Sequence, residues 1–147
     1  MGFLSSMDIT GSALTAQRLR MDVVSQNVAN INTTRDENGE PYRRRVPIFQ
    51  AVDNGSSFST AMNRSLSGTA AGKGVRVTDI VEDESAFKLD YNPSHPDADE
   101  FGYVRLPNVE LAREMVDMMS ATRSYEANIT VLNSTKTMAM SALDIGK

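Results

Sequence analysis

"LAREMVDMMSATRSYEANITVLNSTKTMAMSAL", residues 111–143, places mostly apolar side chains at alternating steps of four and three residues. The positions that keep this rhythm are Leu111, Met115, Met118, Thr122, Tyr125, Ile129, Leu132, Lys136, Ala139 and Leu143. Such spacing puts them on one face of an α-helix. Pro107 precedes Asn108, a residue type that commonly caps a helix N-terminus. The stretch therefore predicts one helix over Asn108–Asp144, about 55 Å long at a rise of about 1.5 Å per residue.

The N-terminal part of the chain repeats this rhythm. The positions that carry it are Met7, Thr10, Leu14, Gln17, Met21, Val24, Val28 and Ile31. They predict a second helix, over Ser5–Ile31. Apolar seams of this kind are buried against another helix, in a helical hairpin or in a dimeric coiled coil.

The middle of the chain has a different composition, in which Gly, Pro, Ser and Asp interrupt short apolar runs. Its β-branched and aromatic residues predict strands. The strand-like stretches are "YRRRVPIFQAV" (42–52), "GVRVTDIV" (74–81), "AFKLDY" (86–91) and "GYVRL" (102–106). Residues 54–74 are rich in Ser, Gly, Ala and Thr and predict a flexible loop.

Together these patterns predict an α+β fold, with a long helix at each end of the chain and a small middle lobe rich in strands and loops. The predicted boundaries are 1–33 for the N-terminal helix, 34–107 for the lobe and 108–147 for the C-terminal helix. A chain of 147 residues is long enough for one ordinary domain.

Charged residues are scarce where the C-terminal helix is predicted. Between Ala127 and Leu143 the only charged residue is Lys136, whereas the 23% charged content of the whole chain predicts about four in seventeen residues. Val131 and Met138 also lie off the seam, so more than one side of the helix should be covered. Its many Asn, Ser and Thr residues are too polar for lipid. Because each newly buried large aliphatic side chain contributes about 1.5–3 kcal/mol, we expect an assembly of many similar chains.

Asparagines are concentrated in the predicted helices. Asn27, Asn30, Asn128 and Asn133 are candidates for hydrogen bonds across a close helix pair, where an amide fixes the register. Asn32 is expected to end the first helix in the left-handed conformation, which asparagine tolerates.

Composition excludes several classes of function. A net charge of −4 and a pI near 5.0 argue against a nucleic-acid binder, and the basic run Arg43–Arg45 predicts a solvated strand end or a partner contact. Without cysteine the chain has no disulfide, thiolate metal site or cysteine nucleophile. The N-terminus lacks the features of a cleavable signal peptide, and no stretch is long and apolar enough for a membrane span.

Enzyme chemistry is not expected. His95, with Asp97, Asp99 and Glu100, is the cluster nearest to a metal or acid–base site. One histidine in a Pro-rich acidic loop lacks the further ligands or the nucleophile that such a site needs. "GTAAGKG" (68–74) lacks the spacing of a phosphate-binding loop. We therefore expect no catalytic residues, no cofactor and no metal.

The two helical stretches resemble those of the bacterial flagellar axial family, the rod and hook proteins. "ALTAQRLRMDVVSQNVANINTT" (13–34) is similar to the family's N-terminal motif, including its Asn-x-Asn-Thr pattern at residues 30–33, and residues 114–147 are similar to its C-terminal motif. "NPSHPDADEFGYVRLPNV" (92–109) resembles the proximal-rod branch. The chain departs from the family pattern at one place. The general motif runs from Asn-Thr almost directly to a Gly-Tyr pair, whereas here "TRDENGE" (34–40) intervenes before the Pro41-Tyr42 pair.

The resemblance implies a structural subunit of the proximal rod of the flagellar basal body. In this family the two terminal helices pair as a coiled coil, and the subunits polymerise through them into a hollow drive shaft, which transmits motor torque and surrounds the export channel. The implied partners are copies of the chain, the neighbouring rod and rod-base proteins and, in transit, the flagellar type III export apparatus. The implied location is the rod that spans the periplasm, reached without a cleaved signal.

The resemblance also suggests which residues form the coiled-coil seam and the subunit interface. They are Leu14, Met21, Val24, Asn27, Val28, Asn30, Ile31, Met115, Met118, Tyr125, Asn128, Ile129, Leu132 and Leu143. Arg123 and Glu126, within the matching "RSYEAN" run, either pair on one helix or contact the next subunit. The alternative interpretation is a discrete coiled-coil module that binds one partner helix and does not polymerise.

Overall fold

The computed structural model describes residues 3–36, 39–52, 62 and 74–145. Its elements, in chain order, are α1 (Phe3–Ala29), β1 (Arg45–Ala51), β2 (Val75–Glu82), β3 (Lys88–Tyr91), β4 (Tyr103–Leu106) and α2 (Leu111–Ile145). The predicted α+β class, with long terminal helices and a small middle region of short strands, is confirmed. Of the predicted flexible loop 54–74, all but Met62 and Gly74 lies outside the described residues.

The two helices lie side by side and run antiparallel. Near the end of α1, Asn27 reaches Glu114 at the start of α2, whereas Met21, earlier in α1, meets Thr122 further along α2. The helices have 27 and 35 residues, which correspond to about 40 Å and 52 Å. The pair therefore forms the long axis of the described structure.

The ends of the helices differ slightly from the prediction. α1 stops at Ala29 and continues into a turn in which Thr33 N donates to Asn30 O at 3.0 Å. No described non-glycine residue has a positive φ, so the expected left-handed conformation of Asn32 is wrong. The N-cap prediction for Asn108 is also wrong, because α2 begins at Leu111 and the Asn108 side chain bonds Arg44 N and Asp83 O instead.

The strands form two antiparallel ribbons, and each of the predicted strand stretches contains one strand. β1 pairs with β2 from Arg45 opposite Glu82 to Ala51 opposite Val75, with a bulge between Ile48 and Phe49. β3 pairs with β4 from Lys88 opposite Leu106 to Tyr91 opposite Tyr103. Within the described residues the ribbons are separate sheets. A two-stranded ribbon is marginally stable alone, so both depend on packing against other parts of the molecule.

Ser12 attaches the first ribbon to the middle of α1. Its Oγ donates to Ile9 O at 2.7 Å within the helix and accepts from Val75 N, at the start of β2, at 3.1 Å. Gly74 precedes this contact with φ of +120°, and a Cβ there would overlap the Ser12 side chain. Glycine is therefore required where the chain enters β2.

The core is thin and lies between α1, α2 and the lobe. Apart from Tyr42, its buried apolar side chains are small, among them Val23 and Val24 of α1, Val104 of β4, Val109 just before α2, and Ala121 within α2. The division of the chain at residues 33 and 107 stays a prediction, although α1 and α2 end and begin close to it.

Candidate functional site

Asn27 joins three parts of the fold. It is 1% exposed, and its amide uses its full hydrogen-bonding capacity of two donors and two acceptor sites. Oδ1 accepts from Tyr42 OH and from Arg45 N, both at 2.9 Å. Nδ2 donates to Arg45 O at 2.9 Å and to Glu114 Oε2 at 3.0 Å. One side chain of α1 therefore holds both the start of β1 and the first turns of α2.

A buried ion pair lies next to Asn27. Glu114 has 0% exposure and its Oε1 accepts from Arg44 Nε at 2.6 Å. Arg44, 7% exposed, also donates through Nη2 to Asp117 Oδ2 at 3.1 Å, and Arg20 of α1 donates to Asp117 Oδ1 at 2.9 Å. Burying a charge costs several kcal/mol unless its partners are well placed. We call this cluster the polar joint: Arg20, Asn27, Tyr42, Arg44, Glu114 and Asp117.

Two ionisable groups have shifted pKa values: Tyr42, in the polar joint, and Asp83, beside it. Burial raises the pKa of the Tyr42 hydroxyl, which keeps the group protonated and able to donate to Asn27. Hydrogen bonds from the backbone and side chain of Ser85 lower the pKa of Asp83. The Asp83 carboxylate lies 3.8 Å from Nη1 of Arg44. Together with the buried ion pair, these contacts hold the lobe on the two helices.

The two helices meet along a seam of buried and half-buried residues. The buried and half-buried residues of α2 are spaced by four and three, and include Glu114, Met118, Ala121, Tyr125, Asn128, Leu132, Thr135 and Ala139. The structure brings most of the predicted residues to buried or half-buried positions, namely Leu14, Met21, Val24, Asn27, Val28, Asn30, Ile31, Met118, Tyr125, Asn128, Ile129 and Leu132. Met115 and Leu143 lie outside this face, at 57% and 74% exposure. Their place in a subunit interface stays a prediction.

Among the asparagines, Asn27 makes the predicted bond across the helix pair. Asn30 Nδ2 donates to Gln26 O at 2.9 Å, and Asn128 Nδ2 donates to Ser124 O at 2.8 Å. Both of these bonds stay within one helix, so neither side chain bridges α1 and α2, and their role between subunits stays a prediction. Asn133 is exposed.

The polar joint was not predicted from the sequence. The run Arg43–Arg45 was expected to be solvated or to contact a partner, which is wrong for Arg44. In an extended segment alternate side chains point to opposite sides, and this alternation is visible here. Arg43 lies over the Phe87 ring at 4.3 Å and Arg45 over the Tyr42 ring at 5.6 Å, while Arg44 turns inward. The sequence does contain a signal for the burial of Glu114. It lies four residues before Met118 and seven before Ala121, on the same face of the helix.

The acidic loop around His95 is built from turns and ion pairs. His95 Nδ1 accepts from Asp97 N at 3.1 Å, and Asp97 pairs with Arg35 at 2.6 Å. Asp99 Oδ1 accepts from Phe101 N and Tyr103 N. The described part of the chain holds no group of three or more His, Cys, Asp or Glu side chains arranged for a metal ion.

Large apolar side chains remain uncovered on the helix pair and on the lobe. On the first turns of α2, Leu111, Met115, Val116 and Met119 lie on a flank outside the seam; we call them the outer face of α2. Further along are Val131, Met138, Met140 and Leu143, and the lobe exposes Leu89, Tyr91, Phe101 and Tyr103. Contiguous apolar surface of this kind marks an interaction site. Neither helix, over its described residues, has a segment long and apolar enough to cross a membrane.

Comparisons with known proteins cover both helices and the lobe. A family model described as "Flagella basal body rod protein" matches residues 7–35, and one described as "Flagellar basal body rod FlgEFG protein C-terminal" matches residues 102–145. The flagellar basal-body rod protein FlgC of Bacillus subtilis (strain 168) is 54% identical over 147 residues, with 97% of each chain covered. FlgC of Borreliella burgdorferi is 49% identical, covering 99% of this chain and 98% of the relative. FlgC of Escherichia coli O157:H7 is 42% identical, with 100% of both chains covered.

Proposed function

This chain belongs to the FlgC family of flagellar basal-body rod proteins, and on that premise we propose that it polymerises through its terminal helices into a hollow drive shaft. It is a structural subunit of the rod, in the flagellar basal body. The proposed neighbours are copies of the chain and the adjoining rod and rod-base proteins. The shaft transmits motor torque across the periplasm and encloses the export channel.

The outer face of α2 carries this proposal. Its side chains lie outside the seam with α1, with Met115 57% and Val116 61% exposed. Because each side chain is already about half covered, completing its burial contributes about 1 kcal/mol. The four together favour the packing of one more helix on this flank. Helices from neighbouring subunits are the cover that a rod provides.

The polar joint supports the mechanical role. A shaft transmits torque only if the lobe does not slide relative to the helices. Asn27 and Arg44 connect the start of the lobe to both helices through buried hydrogen bonds. Fully satisfied buried polar networks are rigid and specify one arrangement.

The far half of α2 supports a position beside the export channel, through which rod proteins also travel to their site of assembly. From Ala127 to Leu143 its single charged residue is Lys136. The exposed residues Thr130 and Thr137 donate their hydroxyls to carbonyls of their own helix at 3.0 Å. A surface without fixed charges does not retain passing unfolded segments of opposite sign.

Glutamate at the outer face of α2 tests the proposal. We expect Met115→Glu and Met119→Glu to keep the helical content and melting temperature of the isolated chain, because both side chains are more than half exposed. Electron microscopy of basal bodies from cells that carry these variants should show rods shortened or missing, and motility should be lost. Met115→Leu and Met119→Leu, which conserve volume, should assemble normally.

Two further measurements separate the alternative function. If the chain is a discrete module for one partner helix, light scattering across a concentration series shows a fixed complex with that partner. Labelled copies would then be absent from purified rods. That outcome rejects the polymer.

A further inference from the structure

Phe101 is the most exposed large apolar residue among those described, at 78%. It lies with Glu100, also exposed, at the tip of the segment between β3 and β4. We call residues 99–103 the Phe101 turn. Leu89, Tyr91 and Tyr103 of the lobe are exposed as well, and a group of exposed apolar side chains marks an interaction site.

The Phe101 turn is rigid. Asp99 Oδ1 accepts from Phe101 N at 3.0 Å and from Tyr103 N at 2.9 Å, and Asp99 O accepts from Gly102 N at 2.9 Å. Gly102 has φ of +81°, and a Cβ there would lie 3.1 Å from atoms of Pro93 and Tyr91. An anchor fixed in advance loses little conformational entropy on binding. The turn therefore has the construction of a docking element.

A cleft elsewhere on the chain has complementary properties. It encloses about 290 Å³ between α1, β1 and α2, near the lower limit of about 300 Å³ for pockets that hold small ligands. Four arginines and one carboxylate, Asp117, line it, and Pro47 and Phe49 provide an apolar wall. We call it the arginine cleft. It accommodates one or two side chains and is too small for a helix.

The free positive charge of the cleft comes from two arginines. Arg20 and Arg44 are neutralised by carboxylates of the polar joint. Arg45 has one long contact, 3.4 Å, to the exposed Glu82. Arg113 is exposed and makes no ion pair with any residue in the described part of the chain. A carboxylate that enters the cleft therefore finds Arg113 available.

We propose that the Phe101 turn of one copy docks in the arginine cleft of the next copy, with Phe101 against Pro47 and Phe49 and the Glu100 carboxylate accepting from Arg113. The inference rests on the proposed polymerisation. The turn is not docked in the cleft of its own chain, since Phe101 stays exposed. Turn and cleft are different surfaces, and contacts between unlike surfaces build rings or open helical arrays. The outer face of α2 and this contact would hold neighbouring subunits at two separate places.

Charge reversal tests the contact in rods from cells that express the full chain. We expect Glu100→Arg and Arg113→Glu each to lower incorporation into purified basal bodies by about tenfold or more, the loss typical of an interfacial anchor. The combined variant should restore incorporation, because the reversed pair again attracts. Glu84→Arg and Arg18→Glu, both exposed and without ion pairs among the described residues, are the matched controls.

Cross-linking identifies the partner. The chain has no cysteine, so a mixture of Glu100→Cys and Arg113→Cys copies has one thiol per chain. An ion pair between two long side chains holds their Cα atoms more than about 7 Å apart, which is too far for a disulfide. A flexible bis-maleimide reagent added to the rods should therefore link the two thiols and give a dimer of this chain. If wild-type rods form but no dimer appears and the reversals incorporate normally, the inference is wrong while the proposed function stands. A cross-link from the thiol introduced at position 100 to a different rod protein also overturns it, and absence of the wild-type chain from rods overturns the proposed function itself.

Discussion

Nε of Arg44 lies 2.6 Å from Oε1 of Glu114, and the Glu114 side chain has no exposed surface. The two residues are 70 positions apart in the sequence, on the lobe side and on α2. A buried carboxylate is tolerated only with its partners in place. The attachment of the lobe to α2 therefore depends on both members of this pair. The first two predictions concern this attachment.

Removing the carboxylate should destabilise the isolated chain strongly. Glu114→Ala leaves Arg44 largely buried without its nearest counter-charge, and we expect a loss of about 3–5 kcal/mol in the free energy of unfolding. Urea denaturation followed by circular dichroism measures it. Glu126→Ala, on the exposed surface of the same helix, should change stability by less than about 0.5 kcal/mol. Equal losses in the two variants would contradict a structural role for the pair.

Tyr42→Phe should cost about 0.5–1.5 kcal/mol at neutral pH, the net value of the lost hydrogen bond to Asn27 Oδ1. The effect should depend on pH. Burial raises the folded-state pKa of Tyr42 above its ordinary value of 10.0. The hydroxyl therefore makes its full contribution to the free energy of unfolding below pH 10, and this contribution is lost as the pH rises through the raised pKa.

Urea titrations at a series of pH values between neutrality and the alkaline range measure this dependence. Wild type and Tyr42→Phe should converge in stability in the alkaline range. Tyr91→Phe, which removes a hydroxyl from an exposed ring, is the control. If the difference in the free energy of unfolding between wild type and Tyr42→Phe stayed constant with pH, the Tyr42 hydroxyl would not be at the buried position.

Two glycines should respond to alanine in opposite directions. At Gly74, with φ of +120° and the Ser12 side chain in the way, alanine is strained, and we expect a loss of about 1–3 kcal/mol. At Gly11, in the interior of α1 with open space around the Cβ position, alanine should stabilise by about 0.5–1 kcal/mol. Thermal melting of the isolated chains compares them, and a shift of the same sign in both would reject the geometry at Ser12.

Charge in the far half of α2 should interfere with the passage of later subunits. Thr130→Glu and Thr137→Glu place a carboxylate on exposed positions and should slow the appearance of filament protein outside the cell, with rods still present in basal bodies. The matched changes Thr130→Ser and Thr137→Ser keep the hydroxyl and should have no effect. Normal secretion in the glutamate variants would place this surface away from the channel.

Local pattern was enough to predict the helices and the strand stretches. Period and residue type record which side of an element is covered, as with the four-and-three spacing that contains Met118, Tyr125 and Leu132. The polar joint could not be predicted in this way. An arginine is expected to be solvated unless its partner is known, and the partner of Arg44 lies 70 residues away. Asn108 shows the same limit, since its side chain holds Arg44 N and Asp83 O, as far as 64 positions away, rather than the adjacent helix end.

The antiparallel contact of α1 with α2 also governs when the chain can fold. Asn27 and Glu114 are separated by 87 residues, and Met21 and Thr122 by 101. Long-range contacts of this kind form late, because the intervening chain must be available before they close. A chain threading end-first through a narrow conduit would have to release most of its length before either helix met the other, whichever end led. For a subunit delivered in this way, the topology alone would delay the pairing of the helices until most of the chain had left the conduit.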